Sequence, residues 1–202
     1  TVDKLLRINK KENKFEFRPF TIKNVKLFGT GKCLSDSTWD KELATRNGRA
    51  TVLEDGKLLD MKSSSCWNFF ATKEEYKEGT VKFAISVDIS TSDDHFYVGL
   101  VNTAKDIKAS SGCLCCSNSG SWYYDRAGNI SCNSTQNAGK LNTGGRKKFT
   151  AQVEADFDAK TVKFTEEKEE SKTFTLTGDA FRFLVGCCNT CNAKVTILDY
   201  EI

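Results

Sequence analysis

Nine cysteines are the residues with the most chemistry on offer. Cys113-Leu114-Cys115-Cys116 and Cys187-Cys188-Asn189-Thr190-Cys191 contain two C-x-x-C pairs, Cys113 with Cys116 and Cys188 with Cys191. Two such pairs on converging loops make a tetrahedral thiolate zinc site. A disulfide between the loops is a second use of the same residues. Unligated thiols are a third, because free cysteine packs as a small hydrophobe. Neighbours in a strand point to opposite faces, which favours the third use. It places Cys187 in the core and Cys188 or Cys191 nearer the surface. No cofactor is therefore expected, with zinc on Cys113, Cys116, Cys188 and Cys191 as the alternative. Cys33, Cys66 and Cys132 read as core or loop residues.

Acid–base chemistry has less to work with. His95 is the only histidine, and Asp93 and Asp94 precede it. A base with an orienting carboxylate can be drawn there. His95 opens a strand after a polar turn, however, so surface placement is the simpler reading. Without it no Ser-His-Asp set exists. No Gly-rich loop joins a strand to a helix to cradle phosphate. These residues do not describe an enzyme.

Recognition chemistry is better supplied. Trp39, Trp67, Trp122, Tyr123 and Tyr124 are possible platforms. Trp67 and Trp122 suit a core. Tyr123 alternates away from Trp122 and Tyr124, which makes it the better exposed anchor. Lys140, Arg146, Lys147 and Lys148 form a basic loop, read as solvated or as the seat of an acidic protein. No aromatic residues interleave with that charge, so nucleic acid is not an expected partner. The candidate partner-binding set is Trp39, Tyr123, Lys140, Arg146, Lys147 and Lys148.

The bulk properties bound the rest. The 202 residues are 39% hydrophobic and 28% charged, with a net charge of +3. One soluble domain suits that length and composition. No apolar run approaches the roughly 18 residues of a membrane span, so no membrane partner is expected. An odd cysteine count prevents complete pairing within one chain and favours a reducing, cytoplasmic setting. The sequons at Asn129 and Asn133 keep a secreted alternative open.

The elements that must carry these residues have a period of two from Phe15 onward. Val81, Phe83, Ile85, Val87 and Ile89 alternate with polar or small residues over 80–89. Phe149, Ala151, Val153, Ala155 and Phe157 do the same and lead through Asp158-Ala159-Lys160 into a returning strand at 161–165. Shorter strands are expected near 15–20, 24–28, 57–59, 67–70, 95–101, 122–124, 129–132, 172–176, 181–187 and 195–200. Residues 102–120 and 133–148 read as loops, 71–78 has helical propensity, and the charged run 166–171 reads as a solvated loop. Phe83, Ile85, Val98, Trp122, Phe157, Phe164, Phe183 and Val185 are the expected core. Many short strands without long helices argue for an all-β fold of two antiparallel sheets packed face to face.

The order of motifs adds a resemblance. Gly79 precedes the long strand, Phe96-Tyr97-Val98-Gly99-Leu100-Val101 follows, then Ser121-Trp122-Tyr123-Tyr124 with Gly128, then Asp156-Phe157-Asp158 with Thr161-Val162-Lys163-Phe164. Phe183-Leu184-Val185-Gly186 closes the series. This resembles the SPRY, or B30.2, domain in a divergent form. Lys82-Phe83 stands where the family has a Tyr-Trp pair, and 166–171 replaces an Asn-Gly turn. The resemblance implies a concanavalin A-like bent β-sandwich of jelly-roll type. It implies a non-catalytic module that binds a protein or peptide through loops at one end, as at the substrate-recognition end of a ubiquitin ligase or in a scaffold. On this reading residues 1–14 are a polar arm, linker or helix end, 15–59 an N-terminal extension and 60–202 the domain core. The loops 29–50, 102–120 and 133–148 are the expected seat. Two other readings stay open: a lectin-like glycan-binding domain, and a structural subunit of a large assembly.

Overall fold

The computed structural model describes residues 6–9, 14–17, 37–46, 50–63, 68–91, 95–104, 120–187 and 191–199. The chain divides into two compact units, Thr1–Thr30 and Gly31–Ile202. In the first, β1 (Leu6–Asn9) pairs antiparallel with β2 (Lys14–Phe17), from Leu6 opposite Phe17 to Asn9 opposite Lys14. Within residues 1–14, read as a polar arm, linker or helix end, 6–9 are thus a strand. The expected strand at 24–28 lies outside the described residues.

The second unit is the sandwich. Its elements in chain order are α1 (Lys41–Arg46), β3 (Ala50–Leu53), β4 (Leu58–Ser63), β5 (Asn68–Ala71), β6 (Thr80–Ile89) and β7 (Phe96–Asn102). They continue as β8 (Ser121–Asp125), β9 (Asn129–Cys132), β10 (Thr135–Lys140), β11 (Lys148–Asp156) and β12 (Thr161–Glu166). The chain closes with β13 (Glu169–Glu170), β14 (Phe174–Thr175), β15 (Phe181–Cys187) and β16 (Cys191–Ile197). One sheet runs β10-β9-β8-β7-β15-β5, and the other β13-β12-β11-β6-β16-β4-β3, with β14 also on β12. The neighbours are antiparallel, as the expected all-β class requires. The expected hairpin is present, with Val153 opposite Phe164 and Asp156 opposite Thr161. Its turn is closed by the Ala159 N–H donating to Asp156 Oδ1 at 2.7 Å, and Lys160 takes a left-handed φ of 54°.

Alternation aims one face of each long strand inward, and the two inner faces meet. Every residue of the expected core is at most 1% exposed. Aromatic rings cross the interior as a chain. Trp39 meets Phe83 edge-on at 5.8 Å, Phe83 stacks on Phe183 at 4.6 Å, and Phe183 meets Tyr76 at 5.1 Å. Tyr76 then faces Phe157 at 6.2 Å, Phe157 faces Phe181 at 5.4 Å, and Phe181 meets Trp122 at 5.6 Å. These links join residues of both sheets, so ring contact and area burial act together. Gly99 is required where β7 passes β8, since a Cβ there would lie 2.0 Å from the Trp122 carbonyl oxygen.

Four elements depart from the sequence reading. Residues 71–78 form no helix; Thr72 and Tyr76 bridge to Trp39 and Phe181 instead. The one α-helix among the described residues is α1, which Asp40 caps by accepting the Leu43 N–H at 3.0 Å. This is the side-chain substitute for a missing helical acceptor. Helix α1 lies by β3 and β5, the edge strands of the two sheets: Ala44 joins the inner core and Leu43 an outer cluster. Residues 133–148 are not one loop, because β10 occupies the middle. The run 166–171 is not wholly solvated, since β12 ends on a buried Glu166 and Ser171 is buried too. No helix among the described residues is long and apolar enough to cross a membrane.

Ser171 holds the mouth of the β12–β13 hairpin. Its Oγ accepts the Phe164 N–H at 2.9 Å and donates to the Lys172 carbonyl at 2.7 Å. Ser171→Ala leaves a buried donor unmet, an effect of about 1–2 kcal/mol. Denaturant melts should show that loss, with faster amide exchange at Phe164; an unchanged midpoint would mean water replaces the hydroxyl.

Candidate functional site

The register defines two ends of the sandwich. At one end Thr80 faces Asp156, and the Gly79 N–H donates to Asp158 Oδ1 at 3.1 Å. At the other end Asp88 faces Lys148, and Ala151 faces Glu166. The expected binding residues are divided between the two. Lys140, Arg146, Lys147 and Lys148 are exposed at the second end. Trp39 and the α1 region belong to the first, because the Trp39 N–H donates to the Gly56 carbonyl at 2.8 Å and Lys57 in turn accepts from Ile197 at 2.9 Å.

Two of the expected contact residues are corrected by burial. Trp39 is 2% exposed, and its indole Nε1 donates to the Lys57 carbonyl at 3.0 Å. Tyr123 does alternate away from the inner core, but it is 3% exposed. The outer face of its sheet carries a second cluster of Leu43, Phe69, Ala71, Tyr97, Val101, Tyr123 and Leu184. Tyr123 meets Tyr97 edge-on there at 5.2 Å. Neither ring is free to stack on a partner, and Trp122 is fully buried as well. Trp67 lies outside the described residues. A sugar platform therefore finds no exposed tryptophan among the described residues.

An open groove of about 1160 Å³ lies beside α1. One wall is Thr38 to Glu42 and the other is Val52 to Gly56, with Lys73 at the margin. Backbone hydrogen bonds fix both walls: Trp39 to Gly56, and the Lys73 N–H to the Thr38 carbonyl at 2.8 Å. Glu74 accepts from the Thr38 N–H and hydroxyl, each at 2.9 Å. The β3–β4 turn approaches Thr38 so closely that a Cβ on Gly56 would sit 2.8 Å from the Thr38 Cβ, and Gly56 has a φ of 94°. Glu54 and Asp55 share the left-handed region at 52° and 53°, a costly conformation for residues other than glycine. That turn presents Leu53, which at 45% is the one large hydrophobic side chain left exposed among the described residues.

Among the described residues lining the groove, acidic groups outnumber basic ones: Asp40, Glu42, Glu54 and Asp55 against Lys41 and Lys73. Asp40 is occupied structurally. Arg182 Nη2 reaches its Oδ2 at 2.6 Å and Arg182 Nε donates to the Thr72 carbonyl. Burial raises the Asp40 carboxyl, but the Leu43 N–H and the guanidinium outweigh that and leave it below its ordinary value. Sequence reading placed 38–42 within the expected 29–50 seat but missed the 52–56 wall, which joins it through a long-range contact without a motif. The signal available was Leu53, an apolar residue beside the turn-forming Glu54-Asp55-Gly56.

The opposite end is an electrostatic scaffold. Lys148 Nζ lies 2.8 Å from Asp88 Oδ2, and Lys140 Nζ donates to Asn129 Oδ1 at 3.0 Å. Arg126 Nη2 donates to the Gly145 carbonyl at 2.7 Å, and Arg146 Nη1 to the Thr143 carbonyl at 2.9 Å. Beneath them Glu166 is 1% exposed, with Arg146 Nη1 3.6 Å from its Oε1. Among the described residues, neither that oxygen nor the buried Tyr124 hydroxyl has a partner within hydrogen-bond distance. Burial pushes the Glu166 carboxyl up to about 7 against the pull of Tyr124 and Arg146. Burial and the carboxylate likewise raise the Tyr124 hydroxyl.

His95 is exposed, with Nδ1 3.3 Å from the Tyr97 hydroxyl. Cys187 is buried as expected. Cys191 is buried too, contrary to one expected surface position. It shares the core face with Ala193, Val195 and Ile197, so alternation within β16 aims it inward. Cys113, Cys116 and Cys188 lie outside the described residues. Burial pushes the Cys132 thiol up to about 12, only partly offset by Lys172, which keeps it protonated and a poor nucleophile.

No protein-family model matches the sequence, and no curated protein does. Solved structures do match in shape. The SPRY domain of human HERC1 superposes with a TM-score of 0.62 at 20% identity, over 81% of this chain and 99% of that one. The TRIM65 PSpry domain gives 0.58 at 10% identity, over 85% and 94%. Stonustoxin gives 0.55 at 14% identity, over 80% of this chain and 27% of the toxin chain.

Proposed function

The fold is SPRY-like, a divergent member by sequence, and from it we propose that the chain is a non-catalytic interaction module that binds a protein or peptide partner at one end of the sandwich. The observation that carries the reading is the groove between α1 and the β3–β4 turn. It has fixed walls and an exposed Leu53 at its rim, on an otherwise closed core. Rigid walls lower the ordering cost of binding, and a single apolar anchor is how such surfaces concentrate affinity. This seat includes part of the expected 29–50 segment. The exposed Lys140, Arg146, Lys147 and Lys148 form a competing seat for an acidic partner. The odd cysteine count supports a reducing compartment for the module. Support for the non-catalytic reading comes from His95, whose ring contacts a tyrosine hydroxyl at the surface.

Partner capture with two altered chains tests the placement. Leu53→Asp should abolish recovery of whatever proteins the unaltered chain enriches. Lys147→Glu with Lys148→Glu should leave that recovery intact. The reverse pattern would move the seat to the basic end, and retention by both would overturn binding at either.

A further inference from the structure

We infer that the groove takes an extended basic peptide segment, with one apolar side chain against Leu53 and flanking lysine or arginine residues over Glu54, Asp55 and Glu42. This rests on the reading of the groove as the partner seat and adds the chemistry of the partner. Charge is the first argument. The chain as a whole is basic, at +3, yet the described residues lining the groove carry four carboxyl groups against two lysines. Asp40 is consumed by Arg182 and the α1 N–H, which leaves Glu42, Glu54 and Asp55 exposed for an incoming cation. The opposite end has the contrary sign, with Lys140, Arg146, Lys147 and Lys148 exposed. A basic ligand is thus drawn to one end and repelled from the other.

Shape is the second argument. Leu53 is 45% exposed and Val52 half-buried at the rim, whereas the neighbouring Trp39 ring is sealed beneath. The apolar contact on offer is shallow and short, suited to one side chain rather than to an amphipathic helix. The opening is about 1160 Å³, room for a few residues in extended form. Two acids follow that anchor on the β3–β4 turn and one lies on the facing α1 wall, so basic residues beside the apolar one are the expected pattern.

The test is selection of a random linear peptide library, displayed on phage, on the full chain. The enriched sequence is then synthesised with a fluorophore and titrated by anisotropy. The expected result is lysine or arginine beside leucine, isoleucine or phenylalanine. Affinity should fall at higher salt, because exposed charge pairs are screened. Glu54→Lys with Asp55→Asn should weaken binding roughly tenfold; asparagine is chosen because it tolerates the left-handed backbone. Leu53→Asp should also weaken it, and thermal melts of the variants should match the unaltered chain, since all three side chains are exposed. Peptides that need Leu53 but carry no basic residues, and ignore the Glu54 and Asp55 changes, would overturn the charge chemistry and leave the seat standing. Peptides indifferent to Leu53 would overturn both.

Discussion

Phe83→Ala should lower the free energy of unfolding by about 3–5 kcal/mol, the range for deleting a large buried aromatic. The ring is fully buried on β6, stacks at 4.6 Å on Phe183 of the facing sheet, and receives the edge of Trp39 at 5.8 Å. Removing it opens a cavity at the contact that joins the two sheets. The neighbours are themselves held: Trp39 by its bond to Lys57, and Phe183 by a backbone bond from its N–H to the Thr72 hydroxyl at 3.2 Å. They cannot collapse far into the space, which places the loss toward the upper part of the range. A domain of this size has on the order of 5–15 kcal/mol to lose. Urea melts should show a lower midpoint at an unchanged slope. A loss under about 1 kcal/mol would show that the ring does not join the sheets.

The contribution of Glu166 to stability should fall by about 2–3 kcal/mol as pH rises from 4.5 through 7. Its ordinary value is 4.5 and its folded value about 7. Below 4.5 the carboxyl is neutral in both states and carries no penalty. Between the two values the unfolded chain releases the proton while the folded chain keeps it, so the native state binds more protons and rising pH favours unfolding. Above 7 the folded group ionises as well and the penalty stays constant, about 1.4 kcal/mol for each pH unit between the two values. Glu166→Gln removes the titration and keeps the shape. It should match the unaltered chain at pH 4 and exceed it by about 2–3 kcal/mol at pH 8, measured by denaturant melts. A native protein that gains stability over this window relative to the glutamine form would mean that Arg146 fully compensates the buried charge.

The sandwich was legible because its long strands announce their buried faces. Val81 to Ile89 and Phe149 to Phe157 alternate except at Ala84 and Gln152, which are buried as well, and the turn between β11 and β12 has its Asp156 acceptor. The same alternation also contained Glu166. Val162, Phe164 and Glu166 share one face of β12, and two buried aliphatic or aromatic neighbours imply the third. Formal charge obscured it, since a run of glutamates reads as solvent. Tyr123 was misplaced for a different reason. Alternation says which face a residue takes, and Tyr123 takes the outer one, but only tertiary packing decides whether that face is covered. The groove was least legible. Residues 38–42 and 52–56 come together through the Trp39–Gly56 bond, a long-range contact without a local signature.

The last two long strands sit in the middle of the architecture rather than at its rim. β15 lies between β7 and β5, and β16 between β6 and β4. Until residues 181–197 leave the ribosome, β5 lacks its strand partner in one sheet, and β4 and β3 are cut off from β6 in the other. The earlier strands must therefore wait with apolar edges open until those residues are made, and pairings of such long sequence separation form slowly. For this protein the hazardous interval is translation itself. A stalled or prematurely released chain would present sticky β-edges, the form in which nascent-chain chaperones or quality-control proteases would meet it.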